Sequence, residues 1–200
     1  MPTSTKKIKI LHRAYFRRPT LQVARSLLGK YLVRKKGRKV FAGRIIEVEA
    51  YIGMEDRACH ASKGRTARTD VMFGPSGVSY VYLIYGMYHC FNIVTERVGH
   101  PSAVLVRAVE DVDTQALIDG PGRVCRFLAI DRRLNRLDLT VGEALWVEDR
   151  GERTESSAIT TSRRIGIDYA GKWANKPWRF RLAASEKQTV KSEETLKKSR

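Results

Sequence analysis

The sequence predicts a single domain of the mixed α/β class, and three observations carry that prediction. Two hundred residues, 42% of them hydrophobic, are enough for one domain with a core of its own. Helical patterns are short and few, whereas runs rich in Val, Ile, Tyr and Phe recur along the chain. One of those runs, residues 79–94, turns back on itself around Gly86-Met87, which reads as a β-hairpin. No apolar run approaches the length of a membrane span, and no secretory leader pattern is present. The expected location is therefore the cytoplasm (the nucleoid of a bacterium) or, in a eukaryote, the nucleus.

The net charge is +17 and the isoelectric point about 10.1. That excess is beyond what solubility requires and points to a polyanionic partner, nucleic acid first. An anionic membrane fits less well, because no long amphipathic helix with a basic face stands out. Cys59, Cys90 and Cys125 are widely spaced, so buried free thiols in a reducing compartment are expected rather than disulfides. Cys59-His60 and His89-Cys90 could be read as a metal tetrad, but no C-x-x-C or H-x-x-x-H spacing supports it. On these spacings no metal is expected.

Taken in order, residues 1–18 read as a basic arm, disordered in part over 1–6. Thr20 is placed to cap a helix running to about Leu28, with Gly29 as its stop. Residues 31–35 and 40–49 read as strands joined by the basic loop Lys36-Gly37-Arg38. Glu47 is the first acidic residue of the chain. Alternation puts Ile45, Glu47, Glu49 and Tyr51 on one side of the second strand. Two carboxylates and a phenol at a strand end suit a pocket wall, and equally a solvated sheet face. Residues 55–61 read as a short helix carrying His60. The loop 62–69, with Lys63, Arg65 and Arg68, is either solvated or a phosphate clamp.

In the tyrosine-rich hairpin, Tyr80 and Tyr82 share a side and are explained by cross-strand aromatic pairing. Tyr85 falls at the turn, where it has little sheet to pack on, so stacking on or wedging between bases is the better reading. Residues 103–109 form a buried-type strand interrupted by Arg107, which needs a carboxylate partner such as Glu49. Gly120-Pro121-Gly122 opens a helix over 123–130, its N-terminus serving either phosphate binding or simple chain reversal. Residues 145–148 and 164–167 read as short strands, with a polar loop over 149–163 between them. The segment 173–182 is aromatic and basic. From Ala184 the chain is polar, which divides it into a domain over 1–183 and a disordered tail over 184–200.

Several blocks, in order, resemble the alkyladenine (3-methyladenine) DNA glycosylase family of base-excision repair. They include Gly43 through Tyr51, Asp56 through His60, Met72-Phe73-Gly74, Tyr80 through Asn92, Val104 through Ala108, Gly120-Pro121-Gly122, and Arg164 through Ile167 with Trp178-Arg179-Phe180. The resemblance covers roughly residues 20–183. It implies one mixed α/β (α+β) domain built on a curved antiparallel β-sheet, with surrounding helices and a protruding β-hairpin, and with no metal and no organic cofactor.

By the same resemblance Glu49 is the catalytic glutamate that activates water, and Arg107 helps hold that water and the glutamate. Tyr51, His60 and Tyr82 sandwich and orient a flipped base. Asn92 screens purines, and Tyr85 fills the gap left in the duplex. The implied partner is double-stranded DNA containing damaged purines, bound by a monomer. The implied reaction leaves an abasic site after release of 3-methyladenine or 7-methylguanine, with hypoxanthine and ethenoadenine as further candidates. Arg107 is expected to keep Glu49 ionised, and Glu47 to be structural. With Gly86-Met87 as a two-residue turn, Asn92 would lie opposite Val81 and project away from Tyr80 and Tyr82; a bulge, a longer turn, or a pocket built across the strand end is then needed.

Two rivals fit less well. A non-catalytic nucleic-acid-binding protein leaves the Glu49/Arg107 pair unexplained. A zinc deaminase would need the H-x-E and P-C-x-x-C signature, which is missing.

Overall fold

The computed structural model describes residues 8–183. Its strands are β1 (Lys9–Ile10), β2 (Tyr31–Lys36), β3 (Lys39–Ile52), β4 (Ser79–Ile84), β5 (Tyr88–Val94), β6 (Ser102–Asp111), β7 (Leu117–Asp119), β8 (Leu145–Asp149), β9 (Ile159–Ser162) and β10 (Arg179–Leu182). They form one antiparallel sheet in the order β1-β8-β2-β3-β6-β5-β4, with β10 joined to β3 and β9, and β7 to β6. The helices α1 (Arg13–Phe16), α2 (Thr20–Leu27) and α3 (Pro121–Phe127) pack around it. The mixed α/β architecture on an antiparallel sheet is the one expected.

The centre of the sheet is β3, 14 residues long. Its first half pairs with β2 as far as Arg44, and its second half pairs with β10 from Glu47 to Glu49. On the other side β6 follows it from Gly43 to Ile52, with an irregularity in the middle. Ile45 opposes Val109 and Glu47 opposes Ala108, so Ile46 has no opposite number; the next step, to Val48 and Val106, skips Arg107. Such an irregularity bends and twists the strand pair and re-aims side chains. It falls where β3 changes partner, and it brings Arg107 beside the two glutamates.

The core explains why the flanking pieces stay in place. Phe16, Leu27, Phe91, Val106, Leu128 and Phe180 are all fully buried in one cluster, and each large apolar side chain so buried contributes about 1.5–3 kcal/mol. Phe16 therefore anchors part of what the sequence reads as a basic arm over 1–18. From residue 8 that arm is folded, with β1 paired to β8 and α1 docked by Phe16. The stretch 1–6 and the tail from Ala184 lie outside the described residues.

Other expectations are adjusted in detail. Gly29, with φ of 80°, follows α2 as its stop. Thr20 is the first helical residue rather than the cap, and its amide donates to the Glu96 carboxylate at 3.1 Å. Residues 55–59 are turns, because the Asp56 carboxylate accepts the Ala58 amide; the helical turn, of 3-10 type, spans His60–Lys63. The helix α3 starts at Pro121 and ends at Phe127. Residues 164–167 are not a strand: Arg164 turns its side chain inward to Asp56. The loop expected over 149–163 contains the strand β9.

Candidate active site

Glu47 and Glu49 project from β3 into the interior, 1% and 0% exposed, so the solvated-face reading is excluded. A buried carboxylate needs compensation, and the two find it differently. Glu47 is a hub for arginines. Arg107 Nε donates to its Oε1 at 3.0 Å, Arg181 Nη1 donates to its Oε2 at 2.7 Å, and Arg179 Nε lies 2.9 Å from Oε1. The last two come from β10, whose register sets Arg179 opposite Glu49 and Arg181 opposite Glu47. Glu47 thus locks β10 and β6 to β3, the structural part expected of it.

Glu49 is held by smaller groups. The Tyr51 hydroxyl donates to Oε2 at 2.8 Å and the Ile165 amide donates to Oε1 at 2.8 Å. Arg107 Nη1 donates to Oε2 at 3.4 Å. Burial pushes the Glu49 carboxyl above the ordinary range, while Arg107, the Ile165 amide and the Tyr51 hydroxyl pull it back. The net direction is upward. Desolvation of a completely buried carboxylate outweighs one guanidinium that is shared with Glu47.

Tyr51 has a cation at its back. The Arg164 guanidinium lies 4.7 Å from the centre of its ring, and is itself fully buried. Its nitrogens donate to both Asp56 oxygens (2.5 and 2.9 Å), to the Ala50 carbonyl (2.8 Å) and to the Trp173 carbonyl (3.2 Å). This network fixes the segment whose next residue, Ile165, supplies the amide on Glu49.

The hairpin supplies the opposite wall. Ile84 pairs with Tyr88, leaving Tyr85, Gly86 and Met87 as a three-residue loop. Tyr85 and Gly86 both have positive φ, 52° and 72°, and the Met87 amide donates to the Ile84 carbonyl. The two-residue turn centred on Gly86-Met87 is therefore corrected by one residue. The consequence is large: Asn92 now lies opposite Tyr80 and not Val81. A one-residue change in register moves a side chain to the other face, and Asn92 joins Tyr80 and Tyr82. Its amide nitrogen donates to the Tyr80 carbonyl at 3.1 Å. Tyr80 and Tyr82 face Asn92 and Cys90 across the strand, not other aromatics, and pack on each other and on His60.

His60 Nδ1 lies 2.8 Å from the Tyr80 hydroxyl, and its ring meets Tyr82 edge to face at 4.6 Å. Burial, with Arg68 and Lys63 nearby, holds its pKa down at about 4, so the imidazole is neutral at physiological pH.

These side chains enclose a cavity of about 150 Å³ lined by Tyr51, His60, Tyr82, Asn92, Arg107 and Ile165, among others. A cavity of roughly that size holds a single small aromatic molecule. Glu49 is not on its wall; the three groups that hold Glu49 are. Tyr85 stands outside at the hairpin tip, 83% exposed. Of the site residues expected from sequence, six therefore converge on or beneath one cavity and the seventh stands outside it, at the tip of the same hairpin.

Sequence reasoning missed the Ile165 amide, which has no residue-type signature, the role of Arg164, hidden in a strand-like run, and Tyr169 at the cavity mouth. The three cysteines are buried and free. Among the described residues no group of three His, Cys, Asp or Glu side chains is placed to hold a metal, and no helix is long and apolar enough to cross a membrane.

An aromatic-walled cavity over a buried glutamate–arginine pair, on so basic a chain, is the arrangement of a hydrolase that works on a flat ring drawn from nucleic acid. The chain belongs to the methylpurine-DNA glycosylase family: the profile described as "Methylpurine-DNA glycosylase (MPG)" matches residues 14–186. It is 51% identical over 183 residues to a Myxococcus xanthus protein named "Putative 3-methyladenine DNA glycosylase", covering 90% of this chain and 92% of the other. Proteins of the same name from Methanocella arvoryzae and Legionella pneumophila (strain Corby) are 49% and 48% identical, covering 86% and 85% of this chain and 91% and 92% of their own lengths. The protein is thus a hydrolase of N-glycosyl bonds of the DNA-3-methyladenine glycosylase type, working in base-excision repair.

Proposed function

We propose that the protein extrudes alkylated purines, 3-methyladenine and 7-methylguanine, from duplex DNA and hydrolyses the bond to C1′, leaving an abasic site without cutting the strand. Hypoxanthine and ethenoadenine are further candidates; being neutral, each would have to take up a proton as it leaves. The observation that carries this reading is Glu49 held by Tyr51, Ile165 and Arg107, each of which also lines the aromatic cavity.

Extrusion costs a few kcal/mol of stacking and pairing, and Tyr85 offsets part of it by entering the vacated space. The base enters between Tyr51 and Tyr82, beside His60 and Asn92. A purine alkylated at N3 or N7 is cationic, and the tyrosine faces favour it by roughly 0.5–2 kcal/mol. As the bond between C1′ and the base nitrogen breaks, its electron pair neutralises the departing base and positive charge develops on the sugar. Glu49, as carboxylate, stabilises that charge and takes a proton from the water that attacks C1′. The water reaches it between the Tyr51 hydroxyl and the Arg107 guanidinium. Arg107, fixed by Glu47, keeps its place as the charge changes. His60, neutral, orients the base through its ring and does not donate a proton at physiological pH.

The test is Glu49→Gln. Release of 7-methylguanine from a methylated duplex should fall below detection while duplex affinity stays within about twofold, since the side chain is buried and keeps its shape. Release by that variant at the wild-type rate would remove Glu49 from the mechanism.

A further inference from the structure

We propose that Tyr169 is a second aromatic contact to DNA, stacking on the deoxyribose of the extruded nucleotide at the mouth of the base cavity. The inference rests on the base-extrusion reading above and adds a residue to it.

Tyr169 is 72% exposed, next to Tyr85 the most exposed tyrosine. A single exposed ring is common on protein surfaces and marks nothing by itself; what sets this one apart is how its backbone is fixed and what it borders. The 3-10 turn Asp168–Asn175 is anchored on either side of it by Ile167, 4% exposed, and Ala170, fully buried, and the Ala170 amide donates to the Ile167 carbonyl at 2.9 Å. These two residues pack with Ala58 against the base of Tyr51. The backbone that carries Tyr169 is therefore tied to one wall of the base cavity, while the ring itself is left outside the core.

Its position adds a second, independent observation. Tyr169 lines the base cavity together with Ile165, and it also lines the adjoining cleft of about 360 Å³ with Arg57, Lys63 and Arg68. Tyr169 thus borders both the place of a base and a cleft whose cations suit a phosphate. Between a base and its phosphate lies the sugar. A deoxyribose presents an apolar C–H face, and an aromatic ring covers such a face without reading sequence. The hydroxyl is not needed for this, so phenylalanine should serve as well.

The test uses the whole protein with Tyr169→Ala and Tyr169→Phe. Extrusion is read from the fluorescence of 2-aminopurine placed in a duplex, which needs no hydrolysis, and release from a single-lesion 7-methylguanine duplex is read in parallel. Tyr169→Ala should lower both the extruded population and the single-turnover rate by roughly three- to tenfold, with affinity for undamaged duplex unchanged. Tyr169→Phe should match the wild type in every measurement. Wild-type extrusion and release in Tyr169→Ala would overturn the proposal, and so would an equal loss in Tyr169→Phe, which would assign the effect to the hydroxyl. If the wild-type protein itself releases no base, the proposed function fails, and the extrusion signal still decides the role of Tyr169.

Discussion

Glu49 and Tyr51 stand two residues apart on β3 and share a hydrogen bond of 2.8 Å. The phenol stabilises only the charged form of the carboxylate, whose pKa burial has already raised. As the proposed base, Glu49 works when deprotonated, so the rate should fall as pH drops through its raised pKa. Tyr51→Phe keeps the ring and removes the donor, so the acid limb should move up further, because a hydrogen bond to the charged form is lost. Well above that limb the rate should return toward wild type. Single-turnover release of 7-methylguanine across the acid and neutral range checks this, and a limb that stays in place would show that the hydrogen bond does not tune Glu49. Arg164 and Asp56 are a different case, a pair completely buried beneath the site. Removing one partner of such a pair strands the other charge. Asp56→Ala should cost about 3–5 kcal/mol in urea unfolding, and a loss under 1 kcal/mol would mean that Arg164 is satisfied by carbonyls alone.

At the scale of elements, the hairpin β4–β5 carries the clearest trade between stability and function. Tyr85 has φ of 52° and is 83% exposed. A tyrosine in that region costs about 1–2 kcal/mol, while a glycine there costs less. Tyr85→Gly should therefore leave urea stability unchanged or raise it by up to about 1 kcal/mol, yet weaken binding to a lesion duplex far more than binding to undamaged DNA. Equal loss on both duplexes would remove the wedge role. The same loop shows where sequence reading stopped. The turn signal at Gly86 located the hairpin correctly, but the register depended on whether Tyr85 itself accepts positive φ, which propensity argues against. Once it does, Asn92 falls beside Tyr80 and Tyr82. Side chains with an uncommon identity for their place, such as Arg107 in an apolar strand or paired glutamates on β3, were legible from sequence. The irregularity at Ile46 and Arg107, which lets them meet, was not, because it lies in the backbone and leaves the apolar pattern intact. The same holds for the Ile165 amide, and for the folding of residues 8–18, which depends on one buried Phe16 among basic neighbours.

For the whole molecule, the net charge of +17 overstates what is available to DNA. Arg107, Arg164, Arg179 and Arg181 are spent on buried or partly buried carboxylates, and Arg65 and Arg136 on Asp70. The remaining basic groups also differ in place, and Arg68 already lies over the Tyr82 ring, 4.9 Å from its centre. Lys63 and Arg68 share a cleft with His60 at the cavity mouth. The turn Gly37-Arg38 between β2 and β3, flanked by the paired Lys36 and Lys39, is at the far end of β3 from Tyr51, up to about 40 Å along the strand. A duplex seated over the cavity should thus be gripped by the first group and only marginally by the second. Each phosphate contact contributes about 0.9 to the slope of log affinity against log salt. Substituting Lys63 and Arg68 by glutamine should lower that slope by about two and weaken lesion and undamaged duplexes alike, whereas the same change at Lys36 and Lys39 should leave the slope nearly as it was. Salt titrations of binding for the two double variants decide the matter, and equal slopes in both would mean that the DNA runs along β3 from end to end rather than across the cavity mouth.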